Sequence, residues 1–174
     1  MEALLLQDAT LRAQLYDLLP IENQLKRIPA RFGGVDVQTE TFFETDRGKL
    51  KWRQGDRESF IMHYERTLHE GHDALRVFRY DMDPSEEDLY DLRREHRTLV
   101  EMHKTRQIYH VGNLRVYLDV TPTGESFVEI EAPDPGRKRS FSERMEQCDQ
   151  LRNQLGISET DLIPFAEMDG LAED

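Results

Sequence analysis

Lys49, Lys51 and Arg53 occupy every second position of the stretch GKLKWRQGD, with Leu50 and Trp52 between them. In an extended strand alternate side chains leave on opposite faces, so this spacing gathers three cations on one face and turns two large apolar residues to the other. The pattern recurs. Lys104 and Arg106 share a parity, as do Tyr64 and Arg66, and NLRVYLDV places Arg115, Tyr117 and Asp119 on a single face. FVEIE adds Glu129 and Glu131, opposite Val128 and Ile130. Such cations bind phosphate oxygens, and such carboxylates hold a hard ion such as Mg²⁺ or Mn²⁺, so a sheet that turned these faces inward would suit a polyphosphate.

A strand face of alternating Lys, Arg and Glu is most often simply the solvated side of an antiparallel sheet. Repetition argues against that here. Five consecutive strand candidates carry charge at alternate positions, and the interleaved Leu50, Trp52, Leu114, Val116, Leu118, Val128 and Ile130 are large and apolar. Helices laid over the apolar faces would leave the charged faces to line an interior.

The elements that must position these residues are read from periodicity and punctuation. Residues 7 to 19 place Leu11, Leu15, Leu18 and Leu19 at helical spacing, with Asp8 or Thr10 as a cap and Pro20 as a stop. Residues 21 to 37 fit neither period and read mostly as loop with room for a helical turn, broken by Pro29 and the Gly33–Gly34 pair. Strands follow in VQTETFFET, GKLKWRQ, SFIMHYERTL and ALRVFRYDM, and connections this short favour antiparallel neighbours. Residues 85 to 102 read as a helix capped by Ser85, with Leu89, Leu92, Leu99 and Val100 as its apolar stripe. Strands in HKTRQIYHVGNLRVYLDVT and ESFVEIEAP precede a last helix from Ser140 or Ser142 to Gly156.

Composition narrows the class. At 174 residues the chain is expected to form one domain, and its net charge of −12 argues against nucleic acid or an anionic membrane as a partner. The single cysteine, Cys148, excludes an internal disulfide and a cysteine zinc cage. With no signal-peptide pattern, a cytoplasmic location is expected. The six histidines show no metal-ligand spacing. Tyr64, Tyr109 and Tyr117 could contact an organic group or simply pack, and no serine lies in a nucleophile elbow.

The ordered set of blocks carries a resemblance. QTETFFETDRGKLKWRQGD followed by FIMHYER, then KTRQIYHVGNLRVYLDV, then FVEIE, resembles in sequence the CYTH superfamily of triphosphate tunnel metalloenzymes, most closely the class IV adenylyl cyclase-like branch. The resemblance runs from about Gln38 to Glu131, and LGISETDLIPFAEMDGL is similar to the family's closing helix and short last strand. It implies an α+β fold, an eight-stranded antiparallel barrel or tunnel with helices packed outside. It also implies a phosphorylated small-molecule substrate and a Mg²⁺ or Mn²⁺ cofactor, and a homodimer is compatible with it. Carried over residue by residue, Lys51, Arg53, Arg66, Lys104, Arg106 and Arg115 become phosphate ligands, and Asp119, Glu129 and Glu131 become metal carboxylates. Lys104, Arg106 and Glu129 become the catalytic set.

One departure bears on mechanism. The family's first strand carries Glu-x-Glu-x-Lys, and no intact copy is present. MEALLL keeps only Glu2, while IENQLK keeps Glu22 and Lys26 with Gln24 in the middle; spacing to the aromatic strand favours MEALLL. Without those carboxylates a second metal lacks counter-charge. Three readings follow: a divergent metal-assisted enzyme acting on an organic di- or triphosphate or a nucleoside triphosphate, a non-catalytic module that binds a phosphorylated ligand, and a scaffold filled by its own ion pairs.

Overall fold

The computed structural model describes residues 4–6, 9–134, 136 and 138–171. Its strands are β1 (Leu4–Leu6), β2 (Thr10–Leu15), β3 (Arg31–Phe43), β4 (Lys49–Gln54), β5 (Ser59–His69), β6 (His72–Met82), β7 (Thr98–Val111), β8 (Leu114–Val120) and β9 (Ser126–Glu131). Three helices accompany them: α1 (Leu19–Leu25), α2 (Glu86–Glu95) and α3 (Phe141–Leu155). The strands form one sheet in the order β1, β6, β5, β4, β3, β7, β8, β9, β2. Ladders are antiparallel from β1 to β6, β6 to β5, β5 to β4, β4 to β3, β8 to β9 and β9 to β2. The α+β class and antiparallel sheet are as expected; among the described residues there are nine strands rather than eight.

The chain divides into two compact units. The first holds β1 and Asp36–Thr105; the second holds the other described residues, up to Val35 and from Arg106 onward. In the first, Leu50 and Trp52 leave β4 on the side away from its cations and pack with Phe43, Ile61 and, from α2, Leu92. A reciprocal capping box starts α2, with Ser85 Oγ accepting from Asp88 N–H at 3.1 Å and Asp88 accepting from Ser85 N–H at 3.0 Å.

That helix is shorter than its apolar spacing predicts. His96 is already extended, and the backbone of Glu44 donates to the carbonyl of Arg97 at 2.8 Å, so the chain turns into β7. Leu99 and Val100, read as the end of a helical stripe, are exposed strand residues. β-branched Thr98 and Val100 suit that conformation.

The second unit buries Val116, Leu118, Val128 and Ile130 beneath Ile21 and Leu25 of α1 and Leu151 and Leu155 of α3. Cys148 lies fully buried in that core, its thiol donating to the Ala9 carbonyl at 3.5 Å. The helix expected over residues 7 to 19 is instead β2 followed by α1. Leucines four apart fit a helix, but Leu11, Ala13 and Leu15 also alternate with Arg12 and Gln14, and pairing with β9 selects the period of two. Asp8, one of the candidate caps, lies outside the described residues. Pro20 falls in the first turn of α1, where its missing N–H costs no bond, so it opens a helix rather than ending one.

In the stretch read mostly as loop before Val37, the helical turn allowed for is the body of α1, a turn follows over residues 26 to 29, and the part from Arg31 is the start of β3 rather than loop. Gly33 lies in β3, where a Cβ would come within 2.8 Å of the His110 ring. At the chain's close, two 3-10 turns, Glu159–Asp161 and Phe165–Glu167, and a single bridge from Leu162 to Ala13 stand where a short last strand was expected. IENQLK is helical, so of the two placements for the first strand only the one at β1 is extended; Glu2 lies outside the described residues. No described helix is long and apolar enough to cross a membrane.

Candidate functional site

In the first unit the cations of β4 and β7 meet at one carboxylate. Register pairs Glu40 with Arg53 and Phe42 with Lys51, so these side chains leave on one face of β3 and β4. Arg53 donates to Glu40 Oε1 from Nη2 at 2.7 Å and from Nε at 3.2 Å. Lys104 Nζ reaches the same oxygen at 2.8 Å, and Lys51 Nζ reaches Oε2 at 3.4 Å. The side chains of Lys51, Arg53 and Glu40 are each only 11% exposed. This face is therefore not the solvated one, although the opposite face of β4 is core as well. Burial works to raise the Glu40 carboxyl, but the charges of Arg53, Lys51 and Lys104 outweigh it and hold the group well below its ordinary value of 4.5.

Aromatic rings floor the same face. Lys51 Nζ lies 5.4 Å from the Tyr64 ring and 5.7 Å from Phe60, Arg53 lies 5.0 Å from Phe60, and Arg66 lies 5.8 Å from Tyr64. Tyr64 is buried in this role. The turn between β4 and β5 is pinned from below by Asp36, which is 1% exposed. Its carboxylate accepts from the backbone N–H groups of Asp56 (2.8 Å), Arg57 (3.2 Å) and Glu58 (3.2 Å) and from Gln38 Nε2 (2.9 Å). Gly55 is required there, because a Cβ would fall 2.5 Å from an Asp36 oxygen. The turn so fixed delivers Glu58 to Arg53 at 3.2 Å, while Gln38 holds the other Glu58 oxygen at 2.8 Å.

The second unit gathers the predicted carboxylates with arginines. Register aligns Tyr117, Glu129 and Arg12 across β8, β9 and β2, and Asp119 with Phe127 and Gln14 one step along the same face. Arg106 donates to both Asp119 oxygens, at 2.9 and 3.0 Å, and to Glu129 Oε2 at 2.9 Å. Arg12 Nη1 donates to Asp119 Oδ2 at 3.0 Å and to Glu129 Oε2 at 3.1 Å. The side chains of Arg106 and Asp119 are 2% and 1% exposed. Arg106 stacks 4.1 Å above the Tyr117 ring and Arg12 4.6 Å above Phe127. Arg115 and Glu131 form a looser pair at 3.7 Å, with Arg115 47% exposed.

This donor set fits a divalent cation poorly. Both Asp119 oxygens and one of Glu129 accept guanidinium N–H groups, and two arginines balance two carboxylates. A metal needs lone pairs and net negative charge at the same oxygens. Among the described residues no group of three or more His, Cys, Asp or Glu is arranged to hold a metal.

Sequence reasoning missed Glu40, Glu58, Asp36 and Arg12. Glu40 shares the parity of Gln38 and Phe42 in a strand that was recognised, so a signal existed. Glu58 and Asp36 act through a turn and a contact 22 residues apart, which no local pattern reports. Arg12 was hidden by the helical reading of residues 7 to 19.

Comparison with solved structures confirms the fold. The chain is similar to the PH1012 protein of Pyrococcus horikoshii OT3 at 20% identity and TM-score 0.72, over 90% of this chain and 94% of that one. It is similar to a candidate adenylate cyclase of Vibrio parahaemolyticus at 14% identity and TM-score 0.72, over 95% and 99%. It also resembles a candidate adenylyl cyclase of Hippeastrum with a dominant triphosphatase activity, at 16% identity and TM-score 0.57, over 98% and 96%. No protein-family model and no curated protein matches the chain. The likeness is one of fold, and the α+β class with its antiparallel sheet agrees with what the sequence led us to expect.

Proposed function

We propose that the protein binds a phosphorylated small molecule, an organic di- or triphosphate or a nucleoside triphosphate. Lys51, Arg53, Arg66 and Lys104 are the phosphate ligands of the first unit, and Arg106 and Arg115 those of the second. The supporting observation is the convergence of Lys51, Arg53 and Lys104 on the two oxygens of Glu40. Three cations held within reach of one carboxylate are spaced to meet a phosphoryl group, which brings more oxygens and more charge than the carboxylate does. Glu40 keeps the cations gathered until the ligand arrives.

A second reading adds turnover: release or transfer of phosphate, with the reacting group met by Lys104 in the first unit or by Arg106 and Glu129 in the second. Likeness to the Hippeastrum triphosphatase favours it. Cations aimed at phosphate oxygens stabilise charge that develops during phosphoryl transfer, and fold likeness alone leaves binding and catalysis both open. Asp119, Glu129 and Glu131 remain the carboxylates from which any protein-held Mg²⁺ or Mn²⁺ would have to be drawn, and their arginine partners weigh against it. The test is a thermal-shift panel of inorganic triphosphate, pyrophosphate, ATP and thiamine triphosphate, each with and without Mg²⁺ or Mn²⁺, followed by product analysis. Stabilisation by a phosphorylated ligand is expected, since a ligand of the folded state raises apparent stability by mass action. Products establish the second reading, and no shift from any ligand overturns both.

A further inference from the structure

We infer that Arg12 replaces a divalent cation at Asp119 and Glu129, so that these two carboxylates position arginines and bind no metal. The resemblance assigns both residues to a metal, and the geometry assigns them to Arg12 and Arg106. Arg12 comes from β2, the strand that register places beside Glu129. Its Nη1 bridges Asp119 Oδ2 and Glu129 Oε2 at 3.0 and 3.1 Å. Arg106 closes the same pair from the other strand, with one guanidinium edge along Asp119 and Nη2 shared with Glu129. Two positive charges already balance two negative ones at this spot, and a divalent ion would enter beside two cations with which it shares oxygens.

The remaining Arg12 groups suit a ligand. Nε and Nη2 donate to nothing among the described residues, while Phe127 supports the guanidinium plane from below. The side chain is 13% exposed. A guanidinium fixed by one edge on carboxylates and supported on a ring presents its other edge as a fork for a planar or tetrahedral oxyanion. Arg12 thereby supplies positive charge where a metal would otherwise do so. Only this oxyanion role rests on the proposed function; the exclusion of metal stands without it.

The test titrates the full chain with Mn²⁺, followed by electron paramagnetic resonance, in the absence of any phosphate. Wild type is expected to leave Mn²⁺ free in solution to 1 mM, about the concentration at which weak carboxylate sites fill. Arg12→Gln removes one balancing charge and is expected to bind Mn²⁺ at least about tenfold more tightly than wild type, whereas Arg12→Lys keeps the charge and is expected to behave as wild type. The inference is overturned if wild type binds one Mn²⁺ that Glu129→Gln releases, or if folded Arg12→Gln binds no better than wild type. If Arg12→Gln does not fold, the wild-type and Glu129→Gln titrations decide alone. A parallel calorimetric titration with inorganic triphosphate in EDTA separates the two claims: no heat there refutes the phosphate reading and leaves the Mn²⁺ result in force.

Discussion

Replacing Glu40 by Gln keeps the shape of the side chain and an oxygen for hydrogen bonding, but it removes the one negative charge on which Lys51, Arg53 and Lys104 meet. Breaking a buried pair by neutralising one partner costs about 3 to 5 kcal/mol, and the lower end applies because the amide oxygen still accepts. For a chain of 174 residues each kcal/mol moves Tm by about 2 to 4 °C, so Glu40→Gln should melt roughly 6 to 12 °C below wild type in phosphate-free buffer. Ligand should return most of that loss. At a hundred times Kd a ligand contributes about 2.7 kcal/mol, and in the variant the Glu40 carboxylate no longer competes with it. Differential scanning fluorimetry with and without inorganic triphosphate is the assay. The triphosphate-induced rise in Tm should be larger in Glu40→Gln than in wild type. Melting of the variant within about 2 °C of wild type, or equal rises in both proteins, would rule out this role for Glu40.

The remaining predictions follow from the same contacts. Because the folded state holds the Glu40 carboxyl below 4.5, its contribution is present above the unfolded value and lost as pH falls through the folded one. Wild-type Tm should therefore fall more steeply below pH 4.5 than that of Glu40→Gln, as read from melts across the acid range. Arg53→Glu or Lys104→Glu should weaken inorganic triphosphate binding by a hundredfold or more, about 3 kcal/mol, while Arg94→Glu on the exposed side of α2 should leave it unchanged by calorimetry. Asp36→Ala strands the N–H groups of residues 56 to 58 and should cost about 1 to 3 kcal/mol in urea melts. It should also weaken triphosphate binding, because the turn that carries Glu58 to Arg53 loses its anchor.

The strands that carry the cations were legible because they alternate over six or more residues and are bounded by turns rich in Gly and Asp. Lys51 and Arg53 were placed on one face by period alone, and the register agrees. Burial of that face was less accessible, since an alternating charged strand reads the same whether its charges meet water or each other. Failures came where two periods coincide. Leu11 and Leu15 are four apart, which is helical, and also two steps of two, which is extended; only the β9 partner decides between them. Mistaking that segment concealed Arg12, and with it the balance of charge around Asp119 and Glu129. The same limit applied after Glu95, where apolar Leu99 and Val100 continued a helical stripe that the chain abandons at His96. Non-local partners such as Glu40 for Lys104, 64 positions apart by number, leave no local pattern at all.

The proposed phosphate grip consists of the cations gathered on Glu40. Its most direct test is isothermal titration of inorganic triphosphate into wild type and into Arg53→Glu, with EDTA throughout. Saturable binding at a stoichiometry near one is expected for wild type, and none for the variant. Absence of binding to folded wild type, or equal binding to both, would contradict it.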